Sequence, residues 1–133
     1  MAKILVVEDI HDNFELVLRA LSGTDHKIIH ASDAETGLQF ALDNIPDLIL
    51  LDLGLPDYDG QTLAGWLREK PELANTPIIA LSAHATPDAK EKAFASGCCE
   101  FETKPVQLDR LIDKVNAALL KFPFPPPPPP EPP

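Results

Sequence analysis

Four short apolar runs in the chain each end in a side chain able to act on a phosphoryl group. Ile4–Val7 runs into Glu8 and Asp9, Leu48–Leu51 into Asp52, Ile78–Leu81 into Ser82, and the stretch around Phe101 into Lys104 and Pro105. The carboxyl ends of parallel strands share one sheet edge, where open α/β sheets bind ligands. If these runs are parallel strands, an acid pair, a nucleophile-grade carboxylate, a hydroxyl and an ammonium converge on one place. Carboxylates gathered like Glu8, Asp9 and Asp52 raise one another's pKa and call for a counter-ion. Mg²⁺ fits, being a hard cation that takes oxygen ligands and keeps several waters for phosphate contacts. The constellation points to a site that holds a metal ion and then a phosphoryl group.

Each residue also has an ordinary reading. Glu8 and Asp9 could open a solvated loop and cap the next helix, Lys104 could be a surface lysine, and Ser82 a local turn hydroxyl. Their joint placement at strand ends argues against coincidence, so the elements between them matter. Asp12 and Glu15 have capping-box spacing, and Phe14, Val17, Leu18 and Leu21 form a helical stripe ending at Gly23. Lys27–Ala31 reads as a second strand. Ser32 and Glu35 suggest another capping box, before a stripe of Ala34, Leu38, Ala41 and Leu42 that Pro46 stops. Pro56–Gly60 is turn chemistry, and Leu63, Trp66 and Leu67 stripe a short helix before Pro71. Thr86 and Pro87 form a cap and first-turn pair for a helix to about Gly97. Leu108, Leu111, Ile112, Val115 and Leu119 stripe the last helix. The pattern is (βα)₅, and the third strand is apolar throughout, as for a strand covered on both faces. A doubly wound parallel five-stranded α/β sheet with right-handed crossovers is the natural closure.

At 133 residues the chain can bury a full core as one domain. Its formal net charge of −10 disfavours nucleic acid and anionic membrane as partners. No apolar run approaches the ~20 residues of a membrane span, and Ile4–Val7 is too short for a signal peptide, so a cytoplasmic location is expected. Cys98 and Cys99 are adjacent, and a disulfide between neighbours is strained, so reduced, partly buried thiols are expected. From Phe122 the composition changes to a run of six prolines, Pro125–Pro130, then Glu131, Pro132 and Pro133. Proline donates no backbone hydrogen bond, so residues 122–133 read as an exposed polyproline II tail after a domain of residues 1–121. Such a tail serves as a stiff tether or as bait for a polyproline-binding partner.

The motifs "ILVVED" (4–9), "DLILLDLGLPDYDG" (47–60), "PIIALSA" (77–83) and "FETKP" (101–105) stand in an order and at separations that are specific together. Over about residues 2–120 the chain resembles the receiver domain of bacterial two-component response regulators, most of all stand-alone receivers of the chemotaxis and cell-cycle type. The resemblance implies the strand order 2-1-3-4-5, which flavodoxins share. It implies that Asp52 is the phosphoacceptor, taking the group from a histidine kinase or histidine phosphotransfer protein. It further implies Mg²⁺ ligands from Asp9, Asp52 and the backbone carbonyl of Gly54, with Glu8 holding a metal-bound water. Lys104 matches the lysine that pairs with the phosphoryl oxygens. Ser82 matches the switch hydroxyl, and Phe101 the switch aromatic that turns inward with it. The bond between Lys104 and Pro105 matches a position that is commonly cis.

Phe101 stands where tyrosine or another aromatic is usual, so that switch offers no hydroxyl contact; Cys98 and Cys99 stand where small or acidic residues are more usual, and Ile10 and His11 where polar ones are frequent. None of these removes a chemical group. His11, His26, His30 and His84 show no metal-binding spacing. His84, two residues after Ser82, either modulates water access to the site, as that family position does, or is plain surface. Rival readings are an FMN binder, a pseudo-receiver that only binds partners, and an Mg²⁺-dependent aspartyl-phosphate hydrolase. The acidic loop after the first strand repels an anion unless a metal is present, which disfavours FMN. Hydrolases of the haloacid-dehalogenase type place a second aspartate where this chain has Gly54. The expectation is therefore a stoichiometric switch with self-catalysed phosphorylation and dephosphorylation, not a turnover enzyme. With no effector domain after residue 121, its output is expected through a protein target at the helix 4–strand 5–helix 5 face.

Overall fold

The computed structural model describes residues 2–23, 26–84, 86–104 and 106–120. The proline tail and Pro105 lie outside these residues, so the expected tail conformation and the bond at Pro105 do too. Strands β1 (Lys3–Val7), β2 (Lys27–Ala31), β3 (Leu48–Asp52), β4 (Ile78–Ser82) and β5 (Glu100–Thr103) form one parallel sheet in the order 2-1-3-4-5. Helices α1 (His11–Leu21), α2 (Ala34–Asn44), α3 (Gly60–Glu69), α4 (Pro87–Ala95) and α5 (Leu108–Leu120) connect and follow them, with a short 3₁₀ turn at Pro71–Leu73.

The strand alternation sorts the core into two layers. Ile4, Val6, Leu48, Leu50, Ile79 and Leu81 face α1 and α5, meeting Val17, Leu21, Leu111 and Val115. Leu5, Val7, Ile49, Leu51, Ile78 and Ala80 face the other way, against Leu63, Ala64 and Leu67 of α3 and the small Ala34 and Ala41 of α2. The helix α2 lies so close to β1 that a Cβ on Gly37 would stand 3.0 Å from Val7 Cγ2. All five residues of β3 are buried, the apolar Leu48–Leu51 and the Asp52 that ends the strand.

Both capping boxes expected from the sequence are replaced by other devices. The first turn of α1 begins at His11, with Ile10 at the cap and no side-chain cap bond, so Asp12 lies inside the helix. For α2 the cap is Asp33, whose Oδ1 accepts from Thr36 N–H at 2.7 Å. The remaining first-turn amides of Ala34 and Glu35 donate to Asp57, at 2.8 and 3.1 Å. A carboxylate from the loop after β3 outcompetes the local serine, a choice invisible in the α2 sequence. The Thr86 cap forms as expected, accepting from Ala89 N–H at 3.1 Å, although α4 stops at Ala95, short of Gly97. Cys98 is buried and Cys99 exposed, both as free thiols; burial pushes Cys98 up to about 11, leaving it a poor nucleophile. No helix among the described residues is long and apolar enough to cross a membrane.

Candidate phosphoryl and metal site

The parallel register brings the carboxyl ends of β1, β3, β4 and β5 to one edge. There Val7 pairs with Leu51, Asp52 with Leu81, and Ser82 with Thr103. Loop backbone extends the ladder past the strands. Leu53 N–H donates to Leu81 at 2.9 Å, and Lys104 N–H donates to Ser82 at 2.8 Å. The start of α3 presses on the loop after Asp52, where Gly60 N–H reaches the Leu53 carbonyl at 3.0 Å. A Cβ on Gly60 would strike the Asp52 carbonyl oxygen and stand 2.7 Å from Leu53 Cα. Only glycine permits that approach.

Lys104 Nζ stands 2.8 Å from Glu8 Oε1 and 2.9 Å from Asp52 Oδ1. Asp52 Oδ1 also accepts from Gly54 N–H at 3.0 Å. Glu8 is fully buried at 0% exposure, whereas Asp9, its neighbour, is exposed at the rim. Burial, then the neighbouring Asp52 carboxylate, push the Glu8 carboxyl up to about 8, although Lys104 pulls the other way. Asp9 is raised for the same reasons, burial first and Asp52 next. Burial would raise Asp52 too, but its hydrogen bonds with Glu8, Gly54 and Lys104 outweigh that and hold it low. Lys104 is raised because Glu8 and Asp52 together overcome its own burial. One ammonium thus serves several carboxylates. Without a cation, these surroundings favour the protonated form of Glu8 and the ionised form of Asp52.

The donor set fits a hard divalent cation. One carboxylate oxygen from each of Glu8, Asp9 and Asp52 lies within 4.8 Å of the others. Glu8 Oε2 is buried with no hydrogen-bond partner among the described residues, an uncommon and costly state for a carboxylate oxygen. An all-oxygen set suits Mg²⁺, whereas zinc prefers nitrogen and sulfur.

Asp52, Gly54, Ser82 and Lys104 line a cleft of about 630 Å³. The Ser82 hydroxyl is buried and accepts from His84 N–H at 3.1 Å, so it is engaged in its own turn here. His84 is exposed and also lines the cleft. Phe101 is only 5% exposed and packs inward, with Lys90 Nζ 5.9 Å from its ring centre. Trp66 lies elsewhere, in a groove with Leu38, Glu69 and Lys70. Sequence reading missed Asn13 and Gln61, which also line the cleft, and His30, whose Nε2 lies 2.8 Å from the Glu8 carbonyl oxygen. Nothing in the sequence of a single polar residue on a helix or strand marks such a contact.

Comparison with known proteins agrees with this geometry. The response regulator receiver domain family matches residues 4–116. The polar-differentiation response regulator DivK of Brucella anthropi is 29% identical over 116 residues, covering 87% of this chain and 94% of its own length. Among solved structures, the chemotaxis protein CheY4 of Vibrio cholerae superposes with a TM-score of 0.85 at 25% identity, over 90% of this chain and 99% of that one. A Francisella response regulator receiver domain gives 0.84 at 29% identity, over 91% and 98%.

Proposed function

The chain belongs to the response regulator receiver domain family, and from that premise we propose that it is a switch that takes a phosphoryl group onto Asp52. Phosphoryl acceptance is general in the family. The observation that carries the assignment to Asp52 is the place of its carboxylate, 2.9 Å from Lys104 in an open cleft beside two further carboxylates. A carboxylate oxygen of Asp52 attacks the phosphorus of a phosphohistidine. The new P–O bond forms as the P–N bond breaks, the leaving electron pair stays on the histidine nitrogen, and Asp52 becomes an acyl phosphate.

The side chains around Asp52 do the positioning and charge neutralisation that this chemistry requires. Gly54 N–H fixes Asp52 Oδ1. Lys104, anchored through its own amide to the end of β4, offers N–H donors to the phosphoryl oxygens once they arrive. Asp9, Asp52 and the backbone carbonyl of Gly54 would hold Mg²⁺, with Glu8 acting through a water. When bound, the ion neutralises charge on the phosphoryl oxygens. Ser82 would exchange its contact with His84 N–H for those oxygens, and Phe101 would respond to that movement. His84, at the mouth of the cleft, would tune the approach of water. The donor is a histidine kinase or histidine phosphotransfer protein, and the output a protein target at the α4–β5–α5 face. The protein acts as a stoichiometric cytoplasmic switch, with residues 1–121 as the receiver and 122–133 as a tether or polyproline bait.

Incubation with acetyl phosphate and Mg²⁺ is expected to add one acid-stable, base-labile phosphoryl group to the wild-type protein and none to Asp52→Asn. Equal labelling of both would refute the assignment.

A further inference from the structure

His30 lies near the end of β2, paired in register with Val6 of β1. Its ring stacks on Phe14 of α1, with centroids 3.8 Å apart and planes 9° from parallel. Its Nε2 reaches the Glu8 carbonyl oxygen at 2.8 Å. A carbonyl only accepts, so Nε2 must carry the proton. Glu8 N–H already donates to the Ala31 carbonyl at 2.9 Å. The strand β2 ends at Ala31, and the His30 ring supplies the next donor from the same edge. Both backbone polar groups of Glu8 are thereby tied to β2.

The carbonyl that His30 holds belongs to the peptide joining Glu8 to Asp9. On one side of it Glu8 enters the interior to meet Lys104 at 2.8 Å, and on the other Asp9 stays at the rim. Holding this peptide plane restricts ψ of Glu8 and φ of Asp9, and so narrows the directions in which the two side chains leave the backbone. We infer that His30 is a positioning residue for the acid pair, pre-setting the Glu8–Asp9 peptide for a divalent cation, with Phe14 clamping the imidazole in place. The inference rests on the proposed function, in which these acids hold Mg²⁺.

The test is Mg²⁺ titration by calorimetry on wild type, His30→Phe and His30→Gln, well below each thermal midpoint. The phenyl ring keeps the stack and loses the donor. The glutamine amide reaches as many bonds from Cα and restores a donor. Partners that orient metal ligands cost 10–100-fold when removed, and a backbone contact belongs at the low end. Weakening of about tenfold is expected for His30→Phe, with His30→Gln recovering most of it. A purely structural role would lower the midpoint and leave affinity unchanged, and that result would overturn the inference. Wild-type protein that failed to bind Mg²⁺ would instead overturn the metal reading on which this role rests. If His30→Phe does not fold, ¹⁵N NMR of wild-type protein still decides. Neutral His30 is expected as the Nε2–H form, and the opposite tautomer would refute the contact.

Discussion

Glu8→Gln should make the metal-free protein more stable at pH 8 than the wild type, and by an amount that vanishes as the pH falls. The glutamine is a neutral copy of the protonated acid. Its carbonyl can accept from Lys104 and its amide can donate to Asp52. The wild-type carboxyl has a folded pKa of about 8 against 4.5 for the free group. Below 4.5 both states hold the proton and it contributes nothing to the pH dependence. Between the two values the folded protein retains the proton and the unfolded chain has released it, so stability falls by about 1.4 kcal/mol per pH unit. Integration sets a ceiling on the order of 4 kcal/mol, and relaxation around the buried charge should leave roughly 3 kcal/mol at pH 8. That corresponds to a urea midpoint about 1–2 M higher for the variant. Urea unfolding in EDTA at pH 5, 6.5 and 8 measures it. Saturating Mg²⁺ should narrow the gap, because the cation stabilises the ionised wild-type site. A gap independent of pH, or a variant less stable than wild type at pH 8, would refute the electrostatic reasoning.

Gly60→Ala should slow phosphorylation from acetyl phosphate and lower stability by about 1–3 kcal/mol, because the added methyl overpacks the Asp52 loop; wild-type behaviour in both would show the loop is free to yield. Arg68 donates to the carbonyls of Leu73, Thr76 and Gly97, at 3.1, 2.6 and 2.6 Å from its closest nitrogens. Arg68→Met should therefore cost about 2–3 kcal/mol in urea unfolding without lowering Mg²⁺ affinity, and an unchanged midpoint would contradict this. Deletion of residues 123–133 should leave phosphorylation rate and thermal midpoint nearly unchanged, since a proline run offers no periodic apolar face to a core; a fall of more than a few degrees would show that the tail packs on the domain.

The sheet was legible because burial leaves its mark in composition. Leu48–Leu51 could only be a strand covered on both faces, and the polar residue after each run announced the edge. The helix starts were harder. Ser32 has the spacing of a cap for α2, but Asp33 takes that place, and Asp57, remote in sequence, takes the amides of Ala34 and Glu35. Ile10 stands at the start of α1 with no side-chain cap at all. The ionic arrangement was half legible. Clustered carboxylates imply a counter-charge, but only the fold reveals that Glu8 is the buried member and Asp9 the exposed one. Contacts such as Arg68 with Gly97, or His30 with Glu8, join elements distant in the chain. No local pattern of residue types encodes them.

Borohydride trapping after acetyl phosphate treatment, run in parallel with Mg²⁺ and with EDTA and mapped by peptide mass spectrometry, decides whether Asp52 takes the phosphoryl group. Reduction converts an aspartyl phosphate to homoserine. Homoserine is expected at position 52 alone, formed with Mg²⁺ and nearly absent in EDTA. Homoserine at Asp9 or elsewhere, or equal conversion without the metal, would contradict the assignment.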